Sequence, residues 1–276
     1  MEQCQQRFHC PQVYHDYDAL LEDTEVQAVY IPLPNHLHHE WVIRAARRGK
    51  HILCEKPLAL NTNECLEMIA ECDRCKVKLM EAFMYRYSDR TQKVMEILNR
   101  GLIGELKYIS SSFHSYLGRE DDYRWEPAYG GGCLYDVGCY PVNFINMITS
   151  CSPVAMTAEG VQHRGVDLIF TGILKYENGI IANLNCSFNS FLRVYSEIVG
   201  DKGVLEIPDT FLGTAGIITV TTAAGKREFK VTASDRYRLE IEDFAAAILD
   251  DRQPLLSTRE TISNMKIIDQ LHAEFC

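Results

Sequence analysis

Residues 51–60 read HILCEKPLAL. An apolar run reaches Cys54, and then a carboxylate, an ammonium and a proline follow at Glu55, Lys56 and Pro57. A short apolar run closed by proline reads as a buried strand. Its neighbours repeat the rhythm. QAVYIPLP (27–34) and KLMEAFM (78–84) are further strand-like runs. Between them, HHEWVIRAARRG (38–49) closes on basic residues and a glycine, and NTNECLEMIAECDRC (61–75) opens on polar cap residues. Both read as helices. Strand, helix, strand, helix, strand at this spacing is the βαβ pattern of a parallel sheet. YHDYDALLEDT (14–24) reads as a short helix before it, and MEQCQQRFHC as the tail of another.

After residue 88 the pattern changes. SDRTQKVMEILNRGLIG (88–104) is a helix ending in glycines. Alternating segments follow at 106–116, 154–163, 167–189, 195–207 and 217–232, with YENGI and TAAGK as hairpin turns. Two helices close the chain, over 236–251 and 258–275. The expectation is α/β plus α+β: a parallel unit over 1–87, then a domain over 88–276 with a large, mainly antiparallel sheet.

The chain has 276 residues, 46% hydrophobic and 24% charged, an ordinary globular composition. No apolar run approaches the roughly 18–20 residues of a membrane helix. The start lacks the basic and apolar regions of a signal peptide. A net charge of −10 argues against a nucleic-acid partner. Eleven scattered cysteines, an odd count, read as reduced thiols. A cytoplasmic protein is expected.

Ligands of open α/β sheets bind at the carboxyl ends of strands. PLPNHLHH (32–39) and Glu55-Lys56-Pro57 lie at two such ends. Lys56, beside a carboxylate, suits proton transfer or hydroxyl recognition if its surroundings lower its pKa. It also suits a lysine reaching solvent at an ordinary turn. In GGGCLYDVGCYPVNF (130–144), Asp136 and Tyr140 are four apart and share one helical face, with Asn143 adjoining. A plainer reading makes Asp136 a cap and Tyr140 a core residue. Pro141 implies that the helix starts near it or is distorted there. His36, His38 and His39, or Cys72 with Cys75, lack the partners of a metal site, so none is expected.

Taken in order, the segments PxPNHLH, EKP, EAFMYR and GGGxxxDxGxYxxN before a large antiparallel sheet resemble the Gfo/Idh/MocA family of NAD(P)-dependent oxidoreductases. The resemblance runs from about residue 5 to the C-terminus. It implies a Rossmann-like nucleotide-binding sheet, NAD or NADP as cofactor, a sugar or polyol substrate, and a homo-oligomer (dimer or tetramer). The family usually has histidine where this chain has Tyr140 and often aspartate where it has Asn143. The Tyr…Asn form resembles the branch that includes glucose–fructose oxidoreductase and dimeric dihydrodiol dehydrogenase. Lys56 and Tyr140 inherit the acid/base roles, with Asp136 orienting Lys56 or a substrate hydroxyl. An ammonium nearby would lower the phenol's pKa. Leu33, Pro34, Asn35, His36, His38, Glu55 and Arg86 transfer as cofactor contacts and Asn143 as a substrate contact. Arg124 and Trp125, in the polar loop before the glycines, are expected as substrate or cofactor contacts at a pocket rim, the plainer reading being an aromatic that anchors the loop. No G-x-G-x-x-G motif occurs near the start. The resemblance therefore implies a truncated nucleotide-binding sheet, its first βαβ unit missing and encoded upstream of Met1. The rival expectation is an inactive fragment or a sugar- or partner-binding module.

Overall fold

The computed structural model describes Arg7, Cys10 and residues 12–275. Apart from those first two positions, the helix expected over MEQCQQRFHC lies outside the described residues. Helix α1 (Tyr17–Glu22) is capped by Asp16, whose carboxylate accepts the Ala19 N–H. Strands β1 (Ala28–Ile31), β2 (His51–Glu55) and β3 (Leu79–Ala82) form a parallel sheet in the order β1-β2-β3. Ile31 stands opposite Cys54, and Glu55 opposite Ala82. Helices α2 (His38–Arg47) and α3 (Thr62–Cys75) are the crossovers. β1 is shorter than its apolar run because Pro32 has no N–H to give the ladder. Ile52, Leu53 and Cys54 are all buried, and each aliphatic side chain so placed contributes about 1.5–3 kcal/mol.

Helix α4 (Asp89–Asn99) starts at Ser88, whose hydroxyl accepts the Thr91 N–H, and leads into β4 (Leu106–Tyr116). A loop with two short 3-10 turns (Tyr123–Trp125 and Pro127–Tyr129) reaches the glycine triplet. A π-helical turn (Leu134–Gly138) then runs straight into α5 (Cys139–Thr149). Both expectations for Pro141 are met at once. The regular helix starts two residues before it, in the first turn where proline is tolerated, and the distortion lies just upstream.

Strands β5 (Ala155–His163), β6 (Val166–Lys175), β7 (Ile181–Ser187), β8 (Asn189–Gly200), β9 (Gly203–Pro208), β10 (Gly216–Thr222) and β11 (Gly225–Val231) complete an eight-stranded sheet with β4. Its order is β11-β10-β9-β8-β4-β7-β6-β5, antiparallel throughout except for β4 beside β7. The expected hairpins are present, with Gly179 and Gly225 at positive φ in their turns. Two helices follow, α6 (Arg236–Leu249) and α7 (Thr258–Phe275). α7 packs against α3 and β3 on one side and α5 and β5 on the other, so it joins the two sheets over one apolar core. Among the described residues no helix is long and apolar enough to cross a membrane.

Candidate active site

The turn after β2 brings Lys56 to the π-helical turn. Lys56 Nζ donates to the Asp136 carbonyl and lies 3.2 Å from Asp136 Oδ1, with the two side chains 13% and 19% exposed. The same ammonium stands 5.0 Å from the centre of the Tyr140 ring. The turn itself is gripped from two sides. His38 Nδ1 lies 3.0 Å from the Pro57 carbonyl, and Glu81 Oε1 accepts the Leu58 N–H at 2.9 Å.

Asp136 is fixed by a second cation. Arg124 Nε lies 2.9 Å from Asp136 Oδ2, and Arg124 Nη1 lies 3.1 Å from Asp122 Oδ1. The Arg124 guanidinium also covers the Tyr123 ring at 4.7 Å. The result is an alternating row of charge, Asp122, Arg124, Asp136 and Lys56. The glycines make this approach possible. Gly132 has φ +104°, and a Cβ there would stand 2.0 Å from Asp167 Oδ1. A Cβ on Gly131 would stand 2.6 Å from the Arg124 carbonyl. Asp167 in turn accepts the Leu134 N–H at 2.6 Å and anchors the start of the π-helical turn.

The electrostatics of the site follow. Burial would pull the Lys56 pKa down, but Asp136 outweighs it, so the ammonium is held well above its ordinary value. Lys56 is therefore held as a cation: the lowered pKa that a proton-transferring lysine needs is not met, while the ammonium expected beside the phenol is present. Burial would raise Asp136, and Lys56 with Arg124 more than offsets it, leaving a carboxylate below the usual range. Burial pushes the Tyr140 phenol up. Lys56 opposes this, as expected, without reversing it. The reason is packing: the Tyr140 ring stands among Phe83, Tyr85, Phe113 and Phe211, and its hydroxyl meets Met84 Sδ at 3.6 Å.

The remaining expected residues divide. Leu33, Pro34, Asn35 and His36 follow β1, and the Asn35 amide donates to the Gly130 carbonyl at 3.0 Å. His36 stacks on Tyr129 at 4.0 Å, and its buried Nδ1 has no hydrogen-bond partner among the described residues. Glu55 accepts from the Tyr30 hydroxyl and from the Lys56 N–H. Four residues depart from expectation as ligand contacts. His38 is fully buried, with both ring nitrogens on the backbone carbonyls of Leu33 and Pro57, so it ties the two loops together from behind. Asn143 is fully buried, its amide spent on Tyr85, Arg86 and Glu260. Arg86 is paired with Glu260 of α7 in that same interior network. Trp125 donates its indole N–H to the Arg119 carbonyl and packs on Phe188, which makes it an anchor of the loop. Sequence reading missed Glu81 and Asp167, which act on segments remote in the chain, and Asp122 and Tyr123, which matter through the neighbouring Arg124 that reaches Asp136.

The residues that could hold a dinucleotide fit its nicotinamide end. The strand ends carry apolar Leu33 and Pro34, and the unpartnered His36 Nδ1 is a ready hydrogen-bonding group beside them. Among the described residues no glycine-rich phosphate turn accompanies them. No cluster of potential metal ligands occurs among the described residues.

The family model described as the oxidoreductase family with an NAD-binding Rossmann fold matches residues 1–83. The GFO/IDH/MocA C-terminal domain model matches residues 91–206. D-xylose 1-dehydrogenase (NADP(+)) 2 of Haloferax volcanii is 36% identical over 267 residues, covering 95% of this chain and 82% of that protein. Trans-1,2-dihydrobenzene-1,2-diol dehydrogenase of Xenopus tropicalis is 33% identical, covering 77% and 65%. The crystal structure of a 3-ketoreductase from Actinomadura kijaniata, in complex with NADP and TDP-benzene, superposes with a TM-score of 0.91 at 27% identity, covering 99% of this chain and 86% of that one.

Proposed function

Because the chain belongs to the Gfo/Idh/MocA oxidoreductase family, we propose that it transfers a hydride between NAD(P) and a sugar- or polyol-like substrate, with Lys56 and Tyr140 handling the proton. The observation that carries this reading is the Lys56 ammonium, salt-bridged to Asp136 and set against the Tyr140 ring.

A bound nicotinamide supplies or accepts the hydride. Leu33, Pro34, Asn35, His36 and Glu55 are the residues that would hold its end of the cofactor, and Arg124 is the substrate-side contact. Tyr140, kept protonated by its burial, gives its hydroxyl proton to a carbonyl oxygen as that oxygen becomes an alcohol. Lys56 stabilises the phenolate left behind, and Asp136 with Arg124 keeps Lys56 charged and in place. In oxidation the same groups run in reverse, with the phenolate taking the alcohol proton.

The same reading gives a cytoplasmic homo-oligomer. Nine unpaired cysteines among the described residues support a reducing compartment. Val161, Ile173 and Ile181 stand exposed on neighbouring strands of the large sheet, which supports that sheet as the subunit interface. The test is to offer the chain NAD or NADP with a panel of aldoses, cyclic polyols and keto-sugars and follow the reduced nicotinamide by absorbance. Turnover with at least one pair is expected. Sugar binding by calorimetry with no turnover on any pair would replace this reading with a binding module.

A further inference from the structure

Glu81 lies on β3, opposite Cys54 of β2, and is 3% exposed. Its Oε1 holds the Leu58 N–H at 2.9 Å, while its buried Oε2 makes no hydrogen bond within 3.5 Å among the described residues. The Thr261 and Asn264 side chains lie near enough to favour its charged form only weakly against burial. The titratable groups facing it are Cys54 on β2, Cys65 on α3, Cys139 on α5 and Glu260 on α7, with Thr261 and Asn264 of α7 as polar neighbours. Among the described residues neither oxygen meets a cation. An uncompensated buried carboxyl is costly. Holding one backbone N–H does not require an ionisable group, since a neutral amide would serve.

We propose that Glu81 is a positioning residue for Lys56: from beneath the turn it holds the Leu58 N–H and so sets where the ammonium stands against Asp136 and Tyr140. The proposal rests on the reading of Lys56 and Tyr140 as the proton-handling pair. Glu81 grips the turn from β3 while His38 grips the Pro57 carbonyl from α2. Burial pushes the Glu81 carboxyl up to about 7, against the pull of the Leu58 N–H. The three facing thiols are pushed up by burial as well and stay neutral through that range. An ionised carboxylate is the stronger acceptor, so the grip tightens as Glu81 ionises.

The test uses the full chain, with Glu81→Gln and Glu81→Leu beside the wild type. Exchange of the Leu58 amide hydrogen is read by NMR at one pH, and kcat and KM are read across about pH 6–8. Glu81→Leu is expected to speed Leu58 exchange about tenfold or more and lower kcat by a similar factor, with the KM for NAD(P) little changed. Glu81→Gln keeps an acceptor oxygen, so Leu58 stays protected, but the inflection of kcat near neutrality disappears. A purely structural role would leave that inflection in place. Wild-type Leu58 protection in Glu81→Leu, or an unchanged inflection in Glu81→Gln, overturns the proposal. A wild type without turnover defeats the proposed function instead, and the Leu58 exchange then decides the grip by itself.

Discussion

Lys56 and Asp136 form a largely buried ion pair, with Nζ 3.2 Å from Oδ1, and Arg124 holds the second carboxylate oxygen at 2.9 Å. One anion thus sits between two cations. Neutralising it as Asp136→Asn leaves Lys56 and Arg124 facing each other. Breaking such a pair costs about 3–5 kcal/mol. The folded pKa of Asp136 is depressed, so its contribution is present above the ordinary carboxylate pKa and lost as pH falls through the lower folded value. Thermal melts of the variant should fall well below wild type at neutral pH and converge with it in acid.

Tyr140→Phe separates chemistry from packing. The ring keeps its place among Phe83, Tyr85, Phe113 and Phe211, and the hydroxyl gives up only a sulfur contact with Met84. Stability should change by less than about 1 kcal/mol. The rate should drop by about 10²–10⁴, the ordinary worth of a positioned acid or base. Melting curves and kcat on the same sample check both halves.

The direction of the pH profile follows from the raised phenol. Carbonyl reduction needs Tyr140 protonated, so apart from the Glu81 inflection near neutrality it should decline only in alkali. Alcohol oxidation needs the phenolate and should rise with pH over the same range. Initial rates in both directions test this, and an oxidation rate that falls towards alkaline pH would speak against Tyr140 as the base.

Two buried acids bear on stability. Burial pushes Glu81 up to about 7, and burial with the nearby Glu55 pushes Glu240 up to about 8. Raised carboxyls favour the fold below their ordinary pKa, and that benefit is lost as pH rises through the folded value. The melting temperature should therefore decline from mildly acid pH towards about pH 9, and Glu240→Gln should flatten the decline by a few degrees.

Gly132→Ala tests the route by which the glycine triplet shapes the site. It adds a Cβ 2.0 Å from Asp167 Oδ1 at a φ of +104°, so the Asp167–Leu134 bond must shift. A loss of about 2 kcal/mol or more is expected, since the site is both strained and crowded. Asp167→Asn, which keeps an acceptor oxygen for the Leu134 N–H, should cost less.

The β2 strand, its stop at Glu55-Lys56-Pro57 and the hairpin turns were legible because each depends on a few adjacent residues. Asp136 and Tyr140 were legible as neighbours on one face. Other features depend on contacts that spacing cannot encode. Arg86 meets Glu260 across 174 residues, and that pairing makes Asn143 part of an interior network. The direction of the Tyr140 shift depends on four aromatic rings drawn from three separate segments of the chain. Glu81 read as one residue of a strand, and its importance comes from the Leu58 N–H it holds.

The most direct measurement is a single turnover with saturating NAD(P)H and a carbonyl substrate, comparing wild type, Lys56→Ala and Tyr140→Phe. The account predicts nicotinamide oxidation in the wild type, slowed by about a hundredfold or more in each variant, with cofactor affinity largely retained in Tyr140→Phe. Nicotinamide oxidation at the wild-type rate in both variants would contradict it.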